Sequence, residues 1–242
     1  MVSTRHHPQD FPPPSTGKVS APSNNDDGAT NRWVHTPSTT IIIWLVISIP
    51  LVIWDSGYIL LRPYSMPGNK LHSPIWIPYA QYGNVDYMYG WPAVDAQNGF
   101  PAAQTVLNLV ECVAYAYYLW IVYRHGVSMS GGRGQRTTKK GPMWMLTAEK
   151  VVSGRTGATA LLVVYSASLV TFSKTVLYWL NEALSGFDNI GHNDVITLIF
   201  LWIIPNGLWI VFPGYNIYAL GAEIVASLES AVPRPRVGRP KS

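Results

Sequence analysis

Four long apolar stretches alternate with polar segments along the chain. They cover Thr39–Leu61, Phe100–Tyr123, Thr156–Leu180 and Val195–Leu220. An α-helix needs about 20 mostly apolar residues to cross the hydrocarbon core of a bilayer. The pattern therefore predicts an all-α integral membrane protein, with a bundle of four transmembrane helices inside residues 38–222.

The segments around these stretches differ in composition. Residues 1–37 are polar and rich in Pro, Ser and Asn, which predicts a disordered tail. The first segment between spans, residues 62–99, mixes prolines with many Trp and Tyr side chains. We expect an aromatic-rich extramembrane loop that covers the bundle. The second loop and residues 223–242, a predicted tail, are basic, and the third loop is a short acidic turn.

Charge placement predicts the orientation in the membrane. Charged residues make up 12% of the chain and the formal net charge is +4. Arg62 and Lys70 are the basic residues of the first and third loops, and most others lie in the tails and the second loop. Since Lys and Arg favour the cytoplasmic side, both termini are predicted to be cytoplasmic. Basic residues that flank apolar spans do not indicate a nucleic-acid partner.

Several polar side chains lie inside the predicted spans, where lipid would be a poor neighbour. They are Asp55, Gln104, Asn108, Glu111, Lys174, Asn206 and Trp209. Three of them, on span two, are spaced by four and three residues and share one helical face. The predicted helix directions place the polar residues of all four spans in the same non-cytoplasmic half. We therefore expect one shared, buried polar site.

Two carboxyl groups at this site predict proton chemistry. A carboxyl group in an apolar cavity can stay protonated and donate its proton, so Asp55 and Glu111 are the candidate catalytic residues. The indole face of Trp209 favours a cation. Together these groups suit the protonation of a carbon–carbon double bond. A structural alternative is that Asp55 or Glu111 pairs with Lys174 and holds the bundle together.

The remaining candidates are assigned to substrate binding. They are Asn108, Lys174, Asn206 and Trp209. For Lys174 we favour a structural role, because it lies near a helix end and its long side chain could reach the membrane surface. The sequence predicts no metal site and no cofactor, since it has no metal-ligand cluster and no phosphate-binding glycine loop.

Three segments carry a family resemblance. They are Pro205–Gly214 (PNGLWIVFPG), Val176–Glu182 (VLYWLNE) with Gly191 and His192 after it, and Ser48–Asp55 (SIPLVIWD). They resemble the EXPERA family of emopamil-binding proteins, which contains sterol double-bond isomerases and the sigma-two receptors. The likeness covers about Thr39–Leu220 and leaves out both tails.

The resemblance implies roles for individual residues. Glu111 matches the acid of the family's second helix, and Asp55 matches the first-helix acid. Asn206 and Trp209 match the pocket amide and the cation-facing indole. Where the isomerases have a histidine one turn before the first-helix acid, this chain has Leu51. Lys174 is also outside the family's pattern, which leaves room for another polycyclic or terpenoid substrate.

The predicted function is a membrane isomerase that shifts a double bond in a sterol-like or terpenoid polycycle by protonation, carbocation stabilisation and deprotonation. The alternatives are a non-catalytic sterol or lipid receptor of the same family, a biosynthetic cyclase for a terpenoid, and an adaptor that binds partners through its basic tails. The expected partners are a hydrophobic polycyclic molecule and the lipid bilayer, and a homodimer is allowed for. The resemblance implies the endoplasmic reticulum membrane.

Overall fold

The computed structural model describes residues 33–128, 146 and 149–231. The helices are α1 (Thr39–Leu60), α2 (Pro78–Val85), α3 (Trp91–Asp95), α4 (Phe100–His125), α5 (Gly154–Leu184) and α6 (Val195–Ala231). The strands are β1 (Val34–His35), β2 (Val127–Ser128) and β3 (Lys150–Ser153).

The four long helices α1, α4, α5 and α6 are each long and apolar enough to cross a membrane. This confirms the predicted all-α architecture with four spans. Three helices are longer than predicted: α4 ends at His125 rather than Tyr123, α5 covers Gly154–Leu184 rather than Thr156–Leu180, and α6 continues to Ala231 rather than Leu220. The last helix therefore continues through residues 223–231 of the predicted tail, where the sequence contains residues that favour a helix.

Neighbouring long helices pack in chain order. α1 packs on α4, α4 on α5, and α5 on α6, whereas α1 meets α6 mainly through the Trp44 ring, which packs on Phe212 and Trp209. The largest core cluster lies between the four helices and includes Leu45, Tyr118, Val164 and Leu220. The backbones of the first and last helices are thus less closely packed than those of the other neighbouring helices.

The segment just before α1 is ordered, which corrects the predicted disorder of residues 33–37. β1 pairs with β3, and β3 also pairs with β2, both in antiparallel fashion. His35 is fully buried, with Nδ1 2.9 Å from a Glu223 carboxylate oxygen and Nε2 3.0 Å from the Tyr118 hydroxyl. These contacts, unforeseen from composition, fix the segment. Residues 1–32 lie outside the described residues, as do residues 129–145, 147 and 148 of the basic second loop.

The first loop forms a layer over one end of the bundle, as its aromatic content predicted. It contains α2 and α3, and its aromatic cluster packs on the end of α1. Tyr58 and Tyr79 stack with ring centroids 4.0 Å apart. Gly83 and Gly90 let the α2 backbone approach the following turn, because a side chain at Gly90 would collide with the Gly83 carbonyl. We call residues 62–99 the cover.

Candidate functional site

A cavity of about 620 Å³ lies between the four long helices and the cover. Each long helix and α2 contribute to its lining, which is mostly apolar. Leu51 on α1 and Ile204 and Leu208 on α6 line it and are 40–46% exposed, so the cavity opens between these two helices. We call this opening the α1–α6 gap. The surfaces around this opening are apolar, and a bilayer would cover them.

Asp55 forms one polar end of the cavity. The Tyr79 hydroxyl donates to its Oδ1 at 2.6 Å, and the Tyr89 hydroxyl lies 3.5 Å from its Oδ2. Burial and the neighbouring Asp55 raise the pKa of Tyr79, so this hydroxyl stays protonated and remains a donor. Both tyrosines come from the cover, which therefore fixes the Asp55 carboxyl beside the cavity.

Lys174 forms a second polar end. Its Nζ lies 2.9 Å from Glu111 Oε1 and donates at 3.1 Å to Oε2, and it also donates to Asn108 Oδ1. The Lys174 side chain is 9% exposed and that of Glu111 is 7% exposed. The expectation that Lys174 reaches the membrane surface is therefore wrong, because its partners on α4 hold it inside.

Glu111 lies behind the main cavity rather than on its wall. It lines a small void of about 10 Å³ that shares Val52, Asn108 and Trp209 with the main cavity. Its Oε2 also accepts from the Thr171 hydroxyl at 2.7 Å. From there hydroxyl contacts continue through Tyr115 to Ser168. Glu111 thus reaches the main cavity through Lys174 and Asn108.

Asn206 and Trp209 lie where α6 is irregular. Proline has no N–H, so Pro205 interrupts the hydrogen-bond ladder of the helix. The helix widens to a π-helix over Ile199–Ile203 just before it, and the Asn206 side-chain amide donates to the Trp202 carbonyl at 2.9 Å. Trp209 lines the cavity and meets Trp44 edge-on, with ring centroids 5.2 Å apart.

The cover is attached to α5 and α6 through Asp86. This fully buried carboxylate accepts hydrogen bonds from the Tyr178 hydroxyl, from Trp202 Nε1 at 2.9 Å and from the Met88 amide at 2.9 Å. Burial raises the pKa of Asp86 to about 6, and the hydrogen bonds oppose the rise. Asp86 therefore joins the cover to the irregular part of α6.

The structure brings together the side chains singled out from the sequence. Those that line the main cavity are Asp55, Gln104, Asn108, Lys174, Asn206 and Trp209, and Glu111 lies directly behind it. The sequence did not identify Asp86, Thr171 or the tyrosine donors to Asp55 as parts of the site. The sequence signal that could have identified the tyrosine donors is the run of tyrosines in the predicted first loop.

Among the described residues, no group of three His, Cys, Asp or Glu side chains is arranged to hold a metal ion. Comparisons with protein-family models, with curated proteins and with solved structures gave no match. The function proposed below therefore depends on the cavity, on its polar groups and on the resemblance of three short segments.

Proposed function

We propose that this chain is a membrane isomerase that shifts a double bond in a sterol-like or terpenoid polycycle. The observation that carries the proposal is one apolar cavity that Asp55, Lys174 and Trp209 line, with Glu111 paired to Lys174 behind its wall. The cavity volume of about 620 Å³ is within the usual range for small-molecule sites, about 300–1,000 Å³. The resemblance to the EXPERA family supports the same reaction.

Charge balance assigns the proton in this proposal. The site has two carboxyl groups and one ammonium group, and an unpaired buried charge is costly. Glu111 already pairs with Lys174. The site is neutral when Asp55 carries a proton that a substrate can take.

The reaction then proceeds through a carbocation. Asp55 transfers its proton to one carbon of the double bond, and the π electrons form the new C–H bond. The positive charge that develops on the other carbon faces the Trp209 ring and the Asp55 carboxylate. A proton leaves a neighbouring carbon to Asp55, and its C–H electrons form the shifted double bond. Substrate and product have the same atoms, and Asp55 is protonated again.

Glu111 supports this cycle from behind the cavity. Its carboxylate pairs with Lys174, which also donates to Asn108, so Lys174 is held by partners on α4 rather than by Asp55. In this proposal Asp55 is the proton carrier in contact with substrate, and Glu111 positions Lys174. Loss of either carboxyl group lowers turnover, but only the loss of Asp55 removes the chemical step.

To test this, membranes that contain the protein are incubated with a panel of sterol and terpenoid alkenes. Double-bond isomers are then separated by chromatography. A new isomer with the wild-type protein and none with Asp55→Asn supports the proposal. An isomer formed equally by Asp55→Asn contradicts it. Asp188→Asn is the matched control, because Asp188 is exposed in the third loop.

A second candidate is a non-catalytic receptor for sterols or cationic amphiphiles. One observation favours it: the second carboxyl group, Glu111, is engaged by Lys174 and is not on the wall of the main cavity. If the protein is such a receptor, a labelled cationic amphiphile should bind to it and sterols should displace the amphiphile. The alkene panel should then be recovered unchanged.

We also propose that the chain resides in the endoplasmic reticulum membrane with both termini cytoplasmic. The family resemblance supports the organelle. The basic residues of the second loop and of both ends of the sequence support the orientation.

A further inference from the structure

We propose that the substrate has a neutral acceptor oxygen, a ketone or a hydroxyl group, which takes a hydrogen bond from Lys174. The proposal deepens the function above, because it names a chemical feature of the molecule that the cavity selects. It rests on the isomerase proposal only for the position of the reacting double bond, since the oxygen contact concerns binding alone.

The donor count at Lys174 is the first step. An ammonium group has three N–H donors. The Asn108 side-chain carbonyl accepts a hydrogen bond from one of them. The Glu111 carboxylate accepts another through Oε2, which lies 3.1 Å from Nζ. Lys174 lines the main cavity, so a remaining N–H is available to a molecule inside it. A hydrocarbon would leave this donor without a partner, and buried donors without partners are costly.

Charge excludes an anionic group at this position. Glu111 lies 2.9 Å from the ammonium and already balances its charge. A carboxylate on the substrate would add an unpaired negative charge to a cavity that also contains Asp55. A neutral oxygen accepts the hydrogen bond without this cost.

The wall beside Lys174 favours a polar end of the ligand. Gln104 and Asn108 lie on α4 next to Lys174, and the Gln104 side-chain amide donates to the Lys174 carbonyl at 3.3 Å. Asp55, on α1, is held by tyrosines of the cover instead. Lys174 and Asp55 line the same cavity from different helices, so a polycycle that fills the cavity with its oxygen at Lys174 also contacts the wall that contains Asp55.

Equilibrium binding of matched steroids tests the inference without turnover. The probes are cholestane, cholestan-3-one, cholestan-3-ol and a steroid that carries a carboxylate in place of the oxygen at C3. A hydrogen bond to a charged group is worth about 1.5–3 kcal/mol, so the wild-type protein should bind the ketone or the alcohol at least about tenfold more tightly than cholestane. Lys174→Met should remove that preference, and Lys174→Arg should keep part of it.

Controls separate binding from folding. The exposed Lys70, in the cover, gives the matched control Lys70→Met, which should keep the wild-type preference. If Lys174→Met does not fold, the double variant Glu111→Leu/Lys174→Met removes both charges and takes its place. Equal affinity for ketone, alcohol and cholestane overturns the inference, as does a preference that survives in Lys174→Met or tighter binding of the carboxylate. Since no product is measured, these results are independent of whether the protein is an isomerase.

Discussion

Lys174 Nζ on α5 lies 2.9 Å from Glu111 Oε1 on α4, inside the helix bundle. Both side chains are less than one-tenth exposed. The pair has two consequences: it joins two helices, and it places an ammonium group at a cavity that Asp55 also lines. The structural alternative for Lys174 and the functional one are therefore compatible.

Breaking this ion pair on one side should destabilise the protein more than removing both charges. Lys174→Met leaves the Glu111 carboxylate buried and unpaired, and the loss of one partner of a buried pair costs about 3–5 kcal/mol. The double variant Glu111→Leu/Lys174→Met leaves no buried charge and should recover most of that loss. Thermal unfolding in detergent measures Lys174→Met, Glu111→Leu and the double variant against wild type. Additive losses in the double variant would contradict the coupling.

Asp86 should make the stability of the cover depend on pH. Burial raises its pKa from 3.8 to about 6, so between these values the folded protein holds a proton that the unfolded chain has lost. The stabilisation is complete below the unfolded pKa and is lost as the pH rises through about 6. The change amounts to about 3 kcal/mol, at about 1.4 kcal/mol per pKa unit. Asp86→Asn has no such titration.

The measurement is thermal unfolding of wild type and Asp86→Asn between pH 4 and pH 7. The difference in stability between the two proteins should shift against wild type as the pH rises. A constant difference across this range would show that Asp86 does not titrate in the folded protein as its burial implies.

The His35 contacts should stabilise the end of the bundle opposite the cover. His35→Ala leaves the buried Tyr118 hydroxyl without its partner and removes the contact to Glu223. An unsatisfied buried polar group costs about 1–3 kcal/mol, which thermal unfolding can detect. His125→Ala, at an exposed helix end, is the control and should change stability by less than about 0.5 kcal/mol. Equal effects of the two variants would contradict a special role of His35.

The α1–α6 gap should be the route by which a ligand enters from the bilayer. Leu208 lines the cavity and is 40% exposed, so Leu208→Trp should narrow the gap and slow ligand association several-fold. Leu228→Trp, on the same helix and away from the cavity, is the control. The measurement is the association rate of a labelled sterol with each of the two variants in nanodiscs. Unchanged association in Leu208→Trp would exclude this route.

The sequence predicted the helices well because hydrocarbon thickness sets a minimum length for each apolar run. It also grouped Asp55, Glu111 and Lys174, since polar groups inside a span have few places to go other than a common interior. It left open whether Lys174 pairs with Asp55 or with Glu111, because reach and partner depend on helix rotation. Nor could it predict the roles of Tyr79 and Asp86, since these arise from contacts between the cover and distant helices.

Solvent deuterium incorporation tests the central claim, that Asp55 transfers protons to a substrate in the cavity. Membranes with the wild-type protein, Asp55→Asn or the exposed control Asp95→Asn are incubated in heavy water with the alkene panel, and the recovered products are analysed by mass spectrometry. With Asp55 exchanging its proton with the solvent between turnovers, wild type and Asp95→Asn should give a double-bond isomer that contains one deuterium, and Asp55→Asn should give none. Equal deuterium incorporation by Asp55→Asn, or an equal amount of isomer formed by this variant, would contradict the claim.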